Sequence, residues 1–243
     1  MKRNILLPTD FSDNAWSAAV YALKLYAEEE CDFYFLHASN VKGSSMANIT
    51  NKLSRVMAEK AIKDLNELKQ MAQNTNANAN HDFNVLLSSK DLDDAINTSV
   101  KKYNIDLVVM GTKGATGAKE IFIGSNTVHI IKKMKDCPIL IVPDEFNFVE
   151  PKQIAFPTDF SRFYGEELLP LKRISGLYNS KIRIVHINEK DRLSEVQNYN
   201  LAMLKAYLED YSHSFHWMPD YDKKAEGIND FIKELDINIL TII

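Results

Sequence analysis

Cysteine is scarce in this chain. Cys31 and Cys137 are its only two in 243 residues, far apart and without a CxxC pair, so a disulfide scaffold or zinc ribbon is excluded and buried free thiols are expected. A basic excess is missing too. The formal net charge is −4, whereas a protein that tracks a nucleic-acid backbone carries surplus Lys and Arg, so no nucleic-acid partner is expected, although a local phosphate site is compatible with this balance. No run, the start Met1 to Pro8 included, is apolar for long enough to be a signal peptide or a spanning helix, which argues against a membrane partner and for a cytoplasmic protein. A Walker A pattern, a GxGxxG fingerprint and a Ser/His/Asp set on a nucleophile elbow are all lacking, which leaves P-loop hydrolases, dinucleotide dehydrogenases and serine hydrolases without support. What remains is ordinary for a globular chain with a real core: 45% hydrophobic and 26% charged residues.

The organising feature is an internal repeat. Asn4-Ile5-Leu6-Leu7-Pro8-Thr9-Asp10-Phe11-Ser12 returns as Gln153-Ile154-Ala155-Phe156-Pro157-Thr158-Asp159-Phe160-Ser161, 149 residues later. The same offset carries His37, which ends Phe33-Tyr34-Phe35-Leu36-His37, onto His186, which ends Ile182-Arg183-Ile184-Val185-His186. A third match, Ile105 to Met110 against Ile237 to Ile242, has an offset of 132, so the second copy is 17 residues shorter between those points. Two domains follow, 1–147 and 148–243, with the boundary in the polar, Pro-containing stretch from Asp144 to Pro151.

Within the first copy short apolar runs alternate with helical periods. Strands are expected at Ile5–Leu7, Phe33–Leu36, Phe83–Leu87, Leu107–Met110 and Ile139–Val142. The helices between them are marked by Ala15, Ala18, Ala19, Ala22 and Tyr26; by Leu53, Met57, Ala61, Leu65 and Leu68; by Leu92, Ile96 and Val100; and by Val128 and Ile131. Strands apolar on both faces and separated by helices imply an α/β fold with an open, five-stranded parallel sheet, covered on both sides through right-handed crossovers. The expected strand order is 3-2-1-4-5, which puts the topological switch, and any ligand, between strands one and four.

The two loops at that switch have unusual composition. After strand one comes Pro8-Thr9-Asp10-Phe11-Ser12, where Ser12 suits a helix cap and Asp10 suits a carboxylate that accepts from ribose hydroxyls. After strand four comes a stretch with Gly111, Lys113, Gly114, Gly117 and Gly124, followed by Ser125, Asn126 and Thr127 at a helix start. Glycines permit close backbone approach, and free amides at a helix N-terminus stabilise a phosphate. A glycine-rich turn with a serine cap would look the same in composition.

The spacing Gly-x2-Gly-x9-Gly-Ser at Gly111, Gly114, Gly124 and Ser125, together with Pro-Thr-Asp-Phe-Ser, the strand ending in His37 and Asp106-Leu107-Val108-Val109-Met110, resembles the universal stress proteins, and among them the ATP-binding branch. The resemblance implies a tandem pair of domains of the flavodoxin-like, adenine-nucleotide-hydrolase-like type. It also implies ATP held as a ligand, with or without Mg²⁺, and no catalytic residue. Pro8, Thr9 and Asp10 would border the adenosine, the backbone of Ala38 would read the adenine edge, and Met110 would pack near base or sugar. Gly111, Gly114, Gly124, Ser125 and Asn126 would surround the phosphates, with Lys113 available to neutralise charge. A homodimer or an intramolecular pseudo-dimer is implied, with a protein partner that the sequence does not name.

The second copy keeps Pro157, Thr158, Asp159 and the strand ending in His186, but it shows neither the glycine spacing nor a fifth strand, so one nucleotide site is expected and not two. Pro170 falls where the second copy's first helix should run and is expected to kink or interrupt it. His213 and His216, three apart, would share a helix face suited to a metal, but the stretch reads as a strand, which points them to opposite sides. Asp91, Asp93 and Asp94 read as dipole-complementing carboxylates at a helix start. The mixed-charge helix from Leu53 to Leu68 reads as a solvated outer face, or as one that docks a partner. Rival readings are a scaffold with a vestigial pocket and an adenylating enzyme; the latter would need a Ser-Gly-Gly-type loop where Pro8-Thr9-Asp10 stands.

Overall fold

Alternation of strand and helix runs through the whole chain in a computed structural model that describes residues 2–39, 47–75, 78–112, 124–144, 146–188 and 193–243. The chain forms two compact units, Met1–Phe148 and Val149–Ile243. The division falls after Phe148 because the rings of Phe146 and Phe148 pack on the buried Tyr21 of the first unit, at 6.0 and 5.3 Å between centroids.

The first unit contains β1 (Arg3–Pro8), α1 (Asp13–Leu25), β2 (Cys31–Ala38), α2 (Ala47–Thr75), β3 (His81–Ser88), α3 (Leu92–Tyr103), β4 (Leu107–Gly111), α4 (Ser125–Lys133) and β5 (Ile139–Val142). Its sheet is fully parallel in the order β3-β2-β1-β4-β5, the order expected from the sequence. Each crossover packs a helix back on the sheet: α1 lies against β4 and β5, α2 against β2 and β3, and α3 against β1 and β2. Ile5, Leu6, Phe33, Phe35, Leu36 and Val108 lose essentially all contact with solvent, which is why these strands read as apolar runs instead of alternating ones. One core layer joins Leu6, Leu36 and Val108 to Ile96 of α3 and Ile130 of α4. Cys31 and Cys137 are both buried and free, and burial pushes each thiol up to about 12.

The helix ends follow local chemistry. Ser12 caps α1 by accepting from the amide of Ala15 at 3.2 Å. Asp93 and Asp94 begin α3, Lys101 and Lys102 end it, and Asn104 stops it in the left-handed region at φ 47°.

The second unit repeats the plan with β6 (Gln153–Pro157), a 3-10 turn (Glu166–Leu168), α5 (Leu169–Tyr178), β7 (Lys181–Ile187), α6 (Glu195–Tyr207), β8 (His213–Met218), α7 (Lys224–Glu234) and β9 (Ile239–Leu240). Its parallel sheet runs β8-β7-β6-β9, the first four places of the same order. The 17 missing residues are nearly all helix, since α6 has 13 residues where α2 has 29. Asp236 ends α7 at φ 47°, in register with Asn104. Pro170 does not kink a helix. The second copy delays its first helix until Leu169, and Pro170 stands in the first turn, where its missing N–H costs nothing.

The face of α2 divides in a way its periodicity does not reveal. Ala61 and Leu65 are buried, whereas Leu53 and Met57, on the same predicted stripe, are 55% and 43% exposed. Leu65→Ala is therefore expected to cost about 2–5 kcal/mol in the unfolding of the first unit, and Leu53→Ala less than about 0.5 kcal/mol. Urea titration of both variants against wild type, with a probe in the first unit, checks the contrast.

Candidate functional site

The carboxyl ends of β1, β2 and β4 meet the start of α4, and each brings a different kind of group. At the end of β1 the chain turns sharply: Phe11 adopts φ 66°, a left-handed conformation that is costly for an aromatic residue. Three hydrogen bonds hold the turn. The amide of Phe11 donates to Thr9 Oγ1 at 3.0 Å, and the amide and hydroxyl of Ser12 donate to Asp10 Oδ1 at 3.1 and 2.5 Å. His37, at the end of β2, bonds the Thr9 carbonyl through Nδ1 at 2.9 Å, and its ring lies 4.5 Å from that of Phe11. His37 is thus a packed residue that ties the end of β2 to the turn after β1.

The same turn is built twice. In the second unit Phe160 adopts φ 56°, its amide donates to Thr158 Oγ1 at 3.0 Å, the amide of Ser161 donates to Asp159 Oδ1 at 2.8 Å, and His186 Nδ1 bonds the Thr158 carbonyl at 2.8 Å. The Ser161 amide holds the Asp159 carboxyl below the usual carboxylate range. Surroundings separate the copies. Phe160 is buried at 1% exposure, against His186 and Trp217, and α6 closes over the turn: Gln197 Nε2 donates to the Asp159 carbonyl at 2.7 Å and Asn200 Nδ2 to the Phe160 carbonyl at 2.9 Å. In the first copy Phe11 is only half-buried, while Asp10 and Ser12 are exposed just as Asp159 and Ser161 are.

Ala38 contributes backbone. The carbonyl of Leu36 accepts from Thr9 on one side of β2, and the amide of Ser39 donates to Ser88 on the other, at 2.8 and 2.9 Å. Alternation along the strand turns the amide and carbonyl of Ala38 to the β1 side, beyond the last register pair there, Pro8 with Leu36. One donor and one acceptor thus face the gap beside Asp10.

From β4, Met110 and Gly111 arrive with unlike roles. Met110 is 7% exposed and belongs to the core layer with Leu36 and Ile130, so it forms the floor under the site. At Gly111 a Cβ would lie 2.5 Å from Asn14 Oδ1 and 2.8 Å from the Asn14 carbonyl oxygen. The glycine admits the first turn of α1 and not only a ligand. Asn14 then donates through Nδ2 to the Thr112 carbonyl, while its Oδ1 and the hydroxyl of Thr112, both buried, have no partner among the described residues.

The start of α4 is fixed to the same strand end. Gly124 occupies the N-cap position, and Thr127, 5% exposed, donates from Oγ1 to the Gly111 carbonyl at 3.2 Å. Ser125 and Asn126 are exposed in the first turn, where backbone amides have no partner within the helix. Asn126 also lines a cleft with Asp91, Asp93, His129 and Lys133, so it is shared between the site and the α3 side. Of the residues singled out in the sequence, Pro8, Thr9, Asp10, Ala38, Met110, Gly111, Gly124, Ser125 and Asn126 stand on these converging ends; Lys113 and Gly114 lie outside the described residues. Sequence reasoning missed Asn14 and Thr112 and placed Thr127 at the helix start without its partner, because their role is to join elements about 100 and 16 residues apart.

The universal stress protein family model matches residues 1–143. The chain belongs to the universal stress protein family. Universal stress protein MJ0531 of Methanocaldococcus jannaschii is 28% identical over 143 residues, covering 58% of this chain and 81% of that protein; universal stress protein MJ0577 of the same organism is 30% identical over 159 residues, covering 58% and 95%. A universal stress protein of Archaeoglobus fulgidus has a crystal structure that superposes with a TM-score of 0.75 at 20% identity, covering 98% of this chain and 85% of its own. That coverage extends the likeness in fold to the second unit, which the family model does not reach.

Gly111→Ala is expected to destabilise the first unit by about 1–3 kcal/mol, through the clash with Asn14. Asn14→Ala added to it should recover part of the loss by removing the side-chain half of the clash. A double-mutant cycle in urea measures this coupling, and strict additivity would mean that the two residues do not meet.

Proposed function

We propose that the first unit is a nucleotide-binding stress or signalling module that holds ATP as a ligand at the carboxyl ends of β1, β2 and β4. The observation that carries this reading is the Thr127 bond to the Gly111 carbonyl, which seats the N-terminus of α4 at the topological switch of the sheet. A helix N-terminus stabilises phosphate charge there, while the outward-facing amide and carbonyl of Ala38 suit the edge of an adenine. Asp10, exposed at the carboxyl end of β1, is a carboxylate of the kind that accepts from a ribose hydroxyl. Mg²⁺, where it accompanies ATP, is held through the phosphates, since among the described residues no group of three His, Cys, Asp or Glu is arranged to ligate it.

Turnover is not part of the proposal. Hydrolysis needs a positioned base or an oriented water, and the Asp10 carboxylate spends its Oδ1 on Ser12. In the second unit Gln197 and Asn200 bond the carbonyls of the matching turn and Phe160 is buried, which supports one site per chain. A scaffold with a vestigial pocket is the second reading, favoured by the apolar residues Leu53, Val56 and Met57 that α2 turns to solvent.

Calorimetric titration of ATP into nucleotide-free protein is expected to give one site per chain. Gly124→Val, which crowds the N-cap, is expected to weaken binding by at least tenfold, about 1.4 kcal/mol, with the fold retained by circular dichroism. Absence of binding by folded, nucleotide-free wild type would overturn the ATP reading and leave the scaffold.

A further inference from the structure

The second unit carries a polar cluster that the nucleotide site does not use. On the sheet face covered by α7, Arg183 of β7 lies in register with Ala155 of β6 and Ser214 of β8. Its Nε donates to Gln153 Oε1 at 2.7 Å, and one terminal nitrogen donates to Ser214 Oγ at 3.2 Å. Ser214 Oγ in turn lies 2.8 Å from His216 Nε2, two residues along the same strand. All three side chains are half-buried. Both partners of Arg183 are neutral, and two of its five N–H donors are spent, so a half-buried guanidinium keeps three donors and its full charge. Among the described residues no carboxylate lies within ion-pair distance of it.

The duplicated frame shows that the fold does not need this charge. Counting along the paired strands, the first unit places Tyr34 where Arg183 stands, and Leu86 where His216 stands. Both are packed against the apolar core layer there. The second copy accepts the desolvation of a cation in a position that an aromatic ring fills in the first.

The proton balance of the chain gives the cluster a purpose. With His216 neutral, one consistent arrangement has Arg183 donating to Ser214 and Ser214 donating to His216 Nε2, so the hydroxyl proton is consumed internally. When His216 takes up a proton, Nε2 becomes a donor. Ser214 Oγ then accepts from both neighbours, and its own O–H must turn to an outside acceptor. We propose that Arg183, Ser214 and His216 form a binding site for a tetrahedral oxyanion of the phosphate class, completed when His216 is protonated.

The surrounding charges agree with this. Burial, then Arg183, then Lys181 of β7 hold the His216 ring below the usual histidine range, with Glu234 of α7 acting in the opposite sense. An anion held by the free donors of Arg183 and the turned Ser214 hydroxyl, beside His216, offsets the repulsion from Arg183 and Lys181 and favours the protonated ring. Phe231 of α7 closes the other side, 5.1 Å from the imidazole.

Histidine ring signals of the full chain, followed by NMR through their titration in chloride and again in inorganic phosphate at matched ionic strength, test the site. Phosphate is expected to raise the apparent pKa of His216 by about 0.5 or more, a roughly threefold preference for the protonated form, while His213 on the opposite face stays put. Arg183→Gln should abolish the phosphate effect, and Ser214→Ala, which keeps both charges and serves if the arginine variant does not fold, should reduce it. Acetate in place of phosphate should have a smaller effect. Identical titration of His216 in phosphate and chloride, or a phosphate effect that survives in folded Arg183→Gln, would overturn the proposal.

Discussion

Both units depend on one bend, the left-handed turn that follows their first strand. A parallel strand must hand the chain to a helix within a few residues and without a clash. Here the hand-over passes through Phe11 or Phe160, neither of which favours positive φ. The turn persists because the threonine hydroxyl, the aspartate carboxylate and the histidine ring from the neighbouring strand all bind it. Those contacts fix where the first helix starts and where the aspartate sits. They also make the end of β2 answer to the end of β1, so the strand ends that border the site move as one body.

What differs between the copies is the packing of that bend. In the first unit its phenylalanine is half-buried. In the second, the short α6 begins with a capping box, Ser194 with Gln197, and the same Gln197 amide reaches on to the Asp159 carbonyl. One residue therefore stops the helix from fraying and covers the turn. The largest difference in helix length between the two domains lies between their second and third strands, where α2 has 29 residues and α6 has 13.

Much of this was legible in the sequence, for physical reasons that can be named. Strands buried on both faces appear as unbroken apolar runs whose alternation with helices pointed to the parallel sheet order, and the repeat of Pro-Thr-Asp-Phe-Ser together with the two strand-ending histidines announced the duplication. The site residues on strand ends were legible because their position follows from that order. Pro170 was misread because the offset predicts where a helix would lie and not where it begins, and a proline is welcome at a start. Gly111 was understood only in part, since the need for its missing side chain comes from Asn14, which is remote in sequence. Thr112 gave no signal, because its role lies in a backbone carbonyl that Asn14 reaches from α1, and Thr127 stood at the helix start without the Gly111 carbonyl that its hydroxyl meets. The uncovered stretch of α2 was invisible for a similar reason: periodicity finds a face but does not say how far along the helix the sheet extends.

The central position of β1 carries a consequence for synthesis. Its first neighbour, β2, follows within thirty residues, but its other neighbour, β4, pairs Leu107 with Ile5. At roughly 5–20 residues per second of translation, the strand that will become the most buried in the sheet waits on the order of 5–20 seconds with one edge unpaired. Contacts of such long range slow the search for the native pairing, and an open apolar edge is a template for wrong partners. The order of strands that sets the topological switch between β1 and β4 thus also leaves the central strand of the nascent first domain half-paired until β4 arrives.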